Sequence, residues 1–234
     1  RSCLCRARST FMTCERRWNK LETNRGWMPK LSPTPVSIAI LAGGKSRRMG
    51  QDKGLLPLLG ISLVERVLLQ VEGLSDKVML VTNQPDEYRR FGVTMCADLR
   101  PNTGPLGGVY SALHYSSRDY TLVLSCDMPF VSRPLLEYMV ALQPGWDVVV
   151  PRLGDSRRVE PLRALYSKRC MEPISTALDA GERRMISFFD SVDVRYVEIE
   201  EIERFDPGNG TFFNINTPAD LTAACDLAAT YPLP

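Results

Sequence analysis

The sequence predicts an α/β protein with a mainly parallel sheet covered by helices on both faces. Short apolar runs rich in Val, Ile and Leu alternate along the chain with stretches whose apolar residues recur at helical spacing. No internal repeat and no linker-like segment interrupts the chain after residue 36. A length of 234 residues, 44% hydrophobic and 24% charged, suits one domain with a substantial core.

The elements follow in order. Residues 36–41, Val-Ser-Ile-Ala-Ile-Leu, form a first apolar strand bounded by glycine. Residues 63–71 carry apolar side chains at Leu63, Val64, Val67, Leu68 and Val71, a helical stripe. Strands at 77–81 and 93–97 end at Asn83 and Asp98, and a glycine-proline opening at 104–108 starts a helix running to about His114. A strongly apolar strand at 120–125 ends in Cys126-Asp127-Met128-Pro129. Then come a helix at 134–142, strands at 147–151 and 162–166, and a helix at 168–180. The tail adds strands at 194–198 and 211–215 and a helix from 218 to about 228. Such alternation gives a single Rossmann-like domain with right-handed crossovers. It also sets four loops, carrying residues 43–53, Asn83, Asp98 and Asp127, on the carboxyl edge of one sheet, where open α/β sheets bind ligands.

The densest chemistry lies in the first of these loops. Residues 41–53 read Leu-Ala-Gly-Gly-Lys-Ser-Arg-Arg-Met-Gly-Gln-Asp-Lys. Gly43 and Gly44 allow backbone N–H groups close to an anion, and Lys45, Arg47, Arg48 and Lys53 supply positive charge. Two familiar phosphate motifs do not fit. A P-loop ending in Gly44-Lys45-Ser46 needs glycine at position 39, where Ala39 stands inside the strand. No Gly-x-Gly-x-x-Gly follows the strand either. An ordinary basic turn would share the composition, but its place at the end of a core strand favours a bound phosphate.

Bulk charge sets limits on partners. The net charge of +2 gives no argument for nucleic acid, and no apolar run is long enough to span a membrane. Seven of the 29 Lys/Arg and two of the 27 Asp/Glu fall in residues 1–27, which leaves the remainder at a net of −3. That first stretch has no periodicity, so residues 1–35 are expected to be a disordered leader outside the fold, with the domain at 36–234 and Met28 as its natural start. Cys96, Cys126, Cys170 and Cys225 are widely spaced with no Cys-x-x-Cys, which fits reduced thiols and a cytoplasmic setting.

Asp127, emerging beside the basic loop, has the hard oxygen donors of a Mg²⁺ ligand shared with nucleotide phosphates. Lys53, ten residues beyond Gly43, can fold back as a point charge over a phosphate at which bonds change. Asn83 and Asp98 suit the base or ribose of a nucleoside, or equally an Asx-turn. His114, the one histidine, has no Ser or Cys partner in view, so direct transfer between two bound substrates is the simplest chemistry.

These motifs together resemble the molybdenum cofactor guanylyltransferases, the MobA family of the nucleotidyltransferase superfamily. The resemblance rests on residues 41–53, Gly104-Pro105-Leu106-Gly107-Gly108, Cys126-Asp127-Met128-Pro129, Gly181-Glu182-Arg183-Arg184 and Asn214-Ile215-Asn216-Thr217-Pro218, in family order. It implies a nucleotidyltransferase fold and transfer of GMP from GTP to the terminal phosphate of molybdenum-bound molybdopterin, with release of pyrophosphate. It implies GTP contacts from Leu41, Ala42, Gly43, Gly44, Arg48, Lys53, Asn83, Asp98 and Asp127. The family's asparagine after the second strand falls at Asn83 or, with a gap, at Thr82. Mg²⁺ would be held by Asp127 and Asn216, with Asn214 as the alternative, and Lys53 and Asp127 would be catalytic. Arg183 and Arg184 become candidates for the pterin phosphate, with a solvated helix end as the alternative. Other cofactor-biosynthesis proteins or recipient molybdoenzymes would be transient partners. A cytidylyltransferase on the same fold and a non-catalytic nucleotide-binding regulator are the competing readings; Lys53 with Asp127 argues against the second.

Overall fold

The computed structural model describes residues 36–42, 52–154 and 158–233, all within a unit spanning Pro35–Pro234. The expected leader at 1–35, most of the basic loop (Gly43, Gly44, Lys45, Arg47 and Arg48) and residues 155–157 lie outside the described residues.

The first strand, β1 (Ser37–Leu41), leads to a 3₁₀ turn at Lys53–Leu55, a hairpin of β2 (Pro57–Leu58) and β3 (Ile61–Ser62), and helix α1 (Leu63–Gln70). Next come β4 (Val78–Val81), α2 (Pro85–Tyr88), β5 (Thr94–Cys96), α3 (Pro105–Tyr115), β6 (Tyr120–Ser125) and α4 (Arg133–Ala141). The chain continues through β7 (Val148–Leu153), β8 (Arg158–Val159), β9 (Arg163–Ser167) and α5 (Met171–Asp179). It ends with β10 (Val194–Val197), α6 (Ile199–Ile202) and α7 (Pro218–Leu227).

The main sheet has the order β10-β7-β9-β6-β1-β4-β5, with β8 paired to β7. The pairs β1–β4, β1–β6, β4–β5 and β10–β7 are parallel, whereas β9 runs antiparallel to both β6 and β7. β7 extends to Leu153 and returns as β8; Glu160 N donates to Pro151 O at 2.9 Å, and the chain passes directly into β9. So short a return cannot hold a crossover helix, and β9 is therefore antiparallel.

Strand alternation sorts the core into two layers. Ile38 and Ile40 of β1 face Leu122, Leu124, Leu80 and Leu165 and are covered by Val64 and Val67 of α1 and Leu135 and Met139 of α4. Ala39 faces the other side with Val81, Val123 and Tyr166, under Leu106, Val109 and Leu113 of α3 and Ile174 of α5. Gly108 lets α3 approach β1 closely, since a Cβ there would sit 3.1 Å from Leu41 Cδ1. A third cluster of Leu56, Leu58, Leu63, Phe130, Ile215 and Ala224 joins the β2–β3 hairpin to α7.

One expected strand is absent. Residues 211–215 form a 3₁₀ turn, Gly210–Phe212, followed by extended chain. Asn209 is left-handed (φ 56), and Phe212 N and Phe213 N bond back to Asn209 O and Gly210 O. Those donors are lost to any ladder, and Ile215 N bonds instead to Asp127 O at 2.9 Å.

The strand order fixes where a ligand can enter. The chain moves outward from β1 through β4 and β5, then returns to lay β6 on the other side of β1. The carboxyl ends of β1 and β6 thus flank a topological switch point, the position at which such sheets open a binding crevice.

Candidate active site

Two segments far apart in sequence meet at that crevice. Asp52 caps the turn at 53–55: its Oδ1 accepts from Gly54 N at 2.9 Å and from the Tyr88 hydroxyl at 2.6 Å. Glycine is required at position 54, because a Cβ would lie 2.5 Å from Tyr88 Oη and 3.3 Å from Cys126 Sγ. This tight seat aims Lys53 across the crevice. Its Nζ donates to Asp127 Oδ2 at 2.9 Å and to Asn216 Oδ1 at 2.8 Å. The Lys53 and Asp127 side chains keep 13% and 20% exposure, enough for a ligand to reach them.

Asp127 is oriented on both sides. Ser125 Oγ donates a short hydrogen bond to its Oδ1, leaving Oδ2 for Lys53. Asn216 stands at the entry of α7, where Asp220 Oδ2 accepts from Asn216 N and Thr217 N at 2.8 Å each. Those N–H groups hold the Asp220 carboxyl below its ordinary range. Asn214 is exposed and takes no part in the contact, so of the two expected asparagines Asn216 is the one brought to the cluster.

Asn83 and Asp98 also meet, on the far side of β1. Asn83 Oδ1 accepts from Asp98 N at 3.0 Å, and Asp98 Oδ1 accepts from Arg100 N at 2.9 Å and Ser111 Oγ at 3.0 Å. Asp98 therefore closes an Asx-turn, and Asn83 ties the ends of β4 and β5 together. Leu41 O and Ala42 N continue the sheet, accepting from Cys126 N at 3.3 Å and donating to Val81 O at 3.0 Å.

Arg183 and Arg184 take partners other than Lys53 and Asp127. Arg183 Nη1 donates to Leu178 O at 3.2 Å and Glu182 O at 2.8 Å, at the carboxyl end of α5. Arg184 is exposed, 3.6 Å from Glu182. The same helix end is linked to the Asp98 loop by Arg100, whose guanidinium meets Asp179 and Ser175 at 2.8 Å each.

The protein offers a cation one carboxylate and one amide oxygen, Asp127 Oδ2 and Asn216 Oδ1. Among the described residues no group of three or more His, Cys, Asp or Glu side chains gathers. Such a donor pair fits a hard divalent cation that takes its remaining ligands from phosphate and water. The Lys53 ammonium already joins both oxygens, so the cluster has the right polarity for one cation at a time. Burial, with Asp127 and Asp52 nearby, pushes the Cys126 thiol up, and it stays protonated and unreactive at neutral pH.

Several contributing residues carried no obvious motif. Gly54, Tyr88 and Ser125, and Asp52 although it lies within residues 41–53, act through packing and hydrogen bonds that spacing does not reveal. Arg163 left a trace: it is a charged residue within the apolar run Leu162-Arg163-Ala164-Leu165-Tyr166. It is 0% exposed, donates from Nη2 to Met128 O at 2.7 Å, and has its pKa pulled down to about 10 by burial, so it remains a cation.

A mixed sheet with a lysine, a carboxylate and an amide joined at its switch point fits a nucleotidyltransferase-type α/β enzyme. The chain belongs to the MobA-like NTP transferase domain family, which matches residues 38–195. It is 38% identical over 185 residues to a probable molybdenum cofactor guanylyltransferase of Pelotomaculum thermopropionicum, covering 79% of this chain and 89% of that one. A molybdenum cofactor guanylyltransferase of Syntrophotalea carbinolica is 35% identical over 187 residues, covering 79% and 88%. Among solved structures, molybdopterin-guanine dinucleotide biosynthesis protein A from Archaeoglobus fulgidus superposes with a TM-score of 0.72 at 28% identity, covering 83% of this chain and all (100%) of that one. A Thermus thermophilus 2-C-methyl-D-erythritol 4-phosphate cytidylyltransferase shares the fold, with a TM-score of 0.63 at 21% identity over 83% of this chain and 99% of that one.

Proposed function

We infer that this protein is a molybdenum cofactor guanylyltransferase, transferring GMP from GTP to the terminal phosphate of molybdenum-bound molybdopterin. The observation that carries the reading is the Lys53–Asp127–Asn216 cluster at the switch point of a chain from the MobA-like family. An oxygen of the acceptor phosphate attacks the α-phosphorus of GTP. The bond from that phosphorus to the oxygen bridging to the β-phosphate breaks, and the electron pair departs with pyrophosphate.

Each residue has a part in this reading. Lys53 donates to a non-bridging α-phosphate oxygen and stabilises the charge that develops there. Asp127 and Asn216 would hold Mg²⁺, which would neutralise triphosphate charge when bound. Gly43, Gly44 and Arg48 cradle phosphates. Leu41, Ala42, Asn83 and Asp98 line the nucleoside, and Arg183 and Arg184 receive the pterin phosphate. With Cys126 protonated and His114 stacked edge-on against Tyr115, the site favours direct transfer over a covalent enzyme intermediate.

Among the described residues no helix is long and apolar enough to cross a membrane. A cytoplasmic location, with transient contacts to other cofactor-biosynthesis proteins or recipient molybdoenzymes, accords with this reading. The test is pyrophosphate release from each of the four NTPs with and without molybdopterin. GTP-selective release that requires the pterin is expected. Preference for CTP would make the protein a cytidylyltransferase, and no release from any pair would overturn the transferase reading.

A further inference from the structure

Four consecutive carbonyls of the loop that carries Asp127 are held by donors from three separate segments of the chain. Asp127 O accepts from Ile215 N at 2.9 Å, and Met128 O from Arg163 Nη2 at 2.7 Å. Pro129 O accepts from Gln70 Nε2 at 3.1 Å, and Phe130 O from Thr211 Oγ1 at 3.0 Å. A loop anchored at every carbonyl presents its side chains in one orientation, which a metal-binding carboxylate requires.

Three of those donors are neutral. The fourth, Arg163, is a fully buried cation, and its Nε and Nη1 have no hydrogen-bond partner among the described residues. It opens β9 opposite Leu124, one residue before Ser125, and strand alternation puts its side chain on the Leu165 face, beneath the loop. The acidic groups acting on it are Glu160, Asp206 and Asp127. Asp206 is already engaged by Thr211 N at 3.1 Å and by the Tyr231 hydroxyl, and Glu160 by Arg158 at 3.7 Å. An apolar side chain of similar volume would fill this place without the desolvation penalty of a buried charge. A cation kept here at that cost has work to do beyond filling space.

We propose that Arg163 is a positioning residue for Asp127: by holding Met128 O from below with a charged donor, it sets the geometry in which Asp127 meets the catalytic cation. The inference rests on the reading of Asp127 as a metal ligand. The test uses Arg163→Met, which keeps the volume and removes the donor and the charge, and Arg163→Lys, which keeps the charge and loses the planar fork. Mn²⁺ binding to the protein–GTP complex is read by electron paramagnetic resonance, alongside kcat, the KM for GTP and Tm.

Arg163→Met is expected to bind Mn²⁺ about tenfold more weakly and to lose at least about tenfold in kcat, as for other residues that orient metal ligands. The KM for GTP stays within about twofold, and Arg163→Lys falls between Arg163→Met and the wild type. A lowered Tm with Mn²⁺ affinity and kcat unchanged in the folded variant would make Arg163 a stability residue and overturn the proposal. Should Arg163→Met not fold, wild-type Mn²⁺ affinity in Arg163→Lys overturns it equally. Because Mn²⁺ and GTP binding need no acceptor, absence of turnover with molybdopterin would sink the guanylyltransferase reading separately.

Discussion

Lys53 Nζ and Asp127 Oδ2 lie 2.9 Å apart although 74 residues separate them in sequence. The same ammonium reaches Asn216 Oδ1 at 2.8 Å. A divalent cation placed at these two oxygens would compete with the lysine, and a triphosphate oxygen would offer Lys53 another partner.

Replacing Lys53 separates these two roles. Lys53→Ala is expected to lower kcat on the order of 10²-fold or more by removing charge stabilisation at the α-phosphate. In the absence of nucleotide it should also bind Mn²⁺ more tightly than the wild type, since the competing ammonium is gone. Unchanged or weaker Mn²⁺ binding by the nucleotide-free variant would contradict the competition.

Asp127→Ala should lower kcat on the order of 10²-fold or more, because Asp127 is the carboxylate that Lys53 Nζ holds beside Asn216 Oδ1. Steady-state rates across a Mg²⁺ titration measure this, and near-normal turnover with Mg²⁺ would refute the role.

The two asparagines should behave differently. Asn216→Ala is expected to raise the Mg²⁺ concentration needed for half-maximal rate, while Asn214→Ala leaves it unchanged. Equal effects from the two would mean that the contact at Asn216 is not the functional one.

Gly54 and Tyr88 form a steric pair. Gly54→Ala should destabilise the fold by about 1–3 kcal/mol through overpacking against the Tyr88 hydroxyl. Tyr88→Phe removes that oxygen, so in the double variant part of the loss should return. Denaturant melts of the four proteins measure the coupling, and strict additivity would show that the strain lies elsewhere.

The cap of α7 makes a pH-dependent contribution. Thr217→Ala is expected to cost about 1 kcal/mol by removing the capping oxygen. The Asp220 carboxyl, held below its ordinary range by two backbone N–H groups, stabilises the fold at neutral pH, and this is lost as pH falls through its folded-state value. The Tm difference between wild type and Asp220→Ala should therefore close in acid; a gap independent of pH would argue against the charged cap.

Much of the architecture was legible in the sequence because apolar periodicity reports burial directly. Both helix-covered faces, the strands ending near Asn83, Asp98 and Asp127, and the helix beginning at Pro218 all follow from it. The segment at 211–215 differs for a specific reason: Thr-Phe-Phe-Asn-Ile is rich in β-forming residues, but left-handed Asn209 turns the backbone so that Phe212 N and Phe213 N bond back to Asn209 O and Gly210 O. The antiparallel course of β9 was hidden because a strand's apolar pattern does not encode its direction. Arg163 was visible as a charge in an apolar run, yet nothing local tells a buried donor from an edge residue.

The sequence by itself determined the fold class, the family and the residue types able to handle a nucleotide, since these rest on local patterns and motif spacing. Only the tertiary structure decided which of them meet. It joined Lys53, Asp127 and Asn216, preferred Asn216 to Asn214, and gave Arg183 and Arg184 other partners. The reason is physical: a hydrogen bond of about 3 Å depends on strand order and loop packing. Residues as distant as Gln70, Arg163, Thr211 and Ile215 set that packing together, by holding one short loop in place.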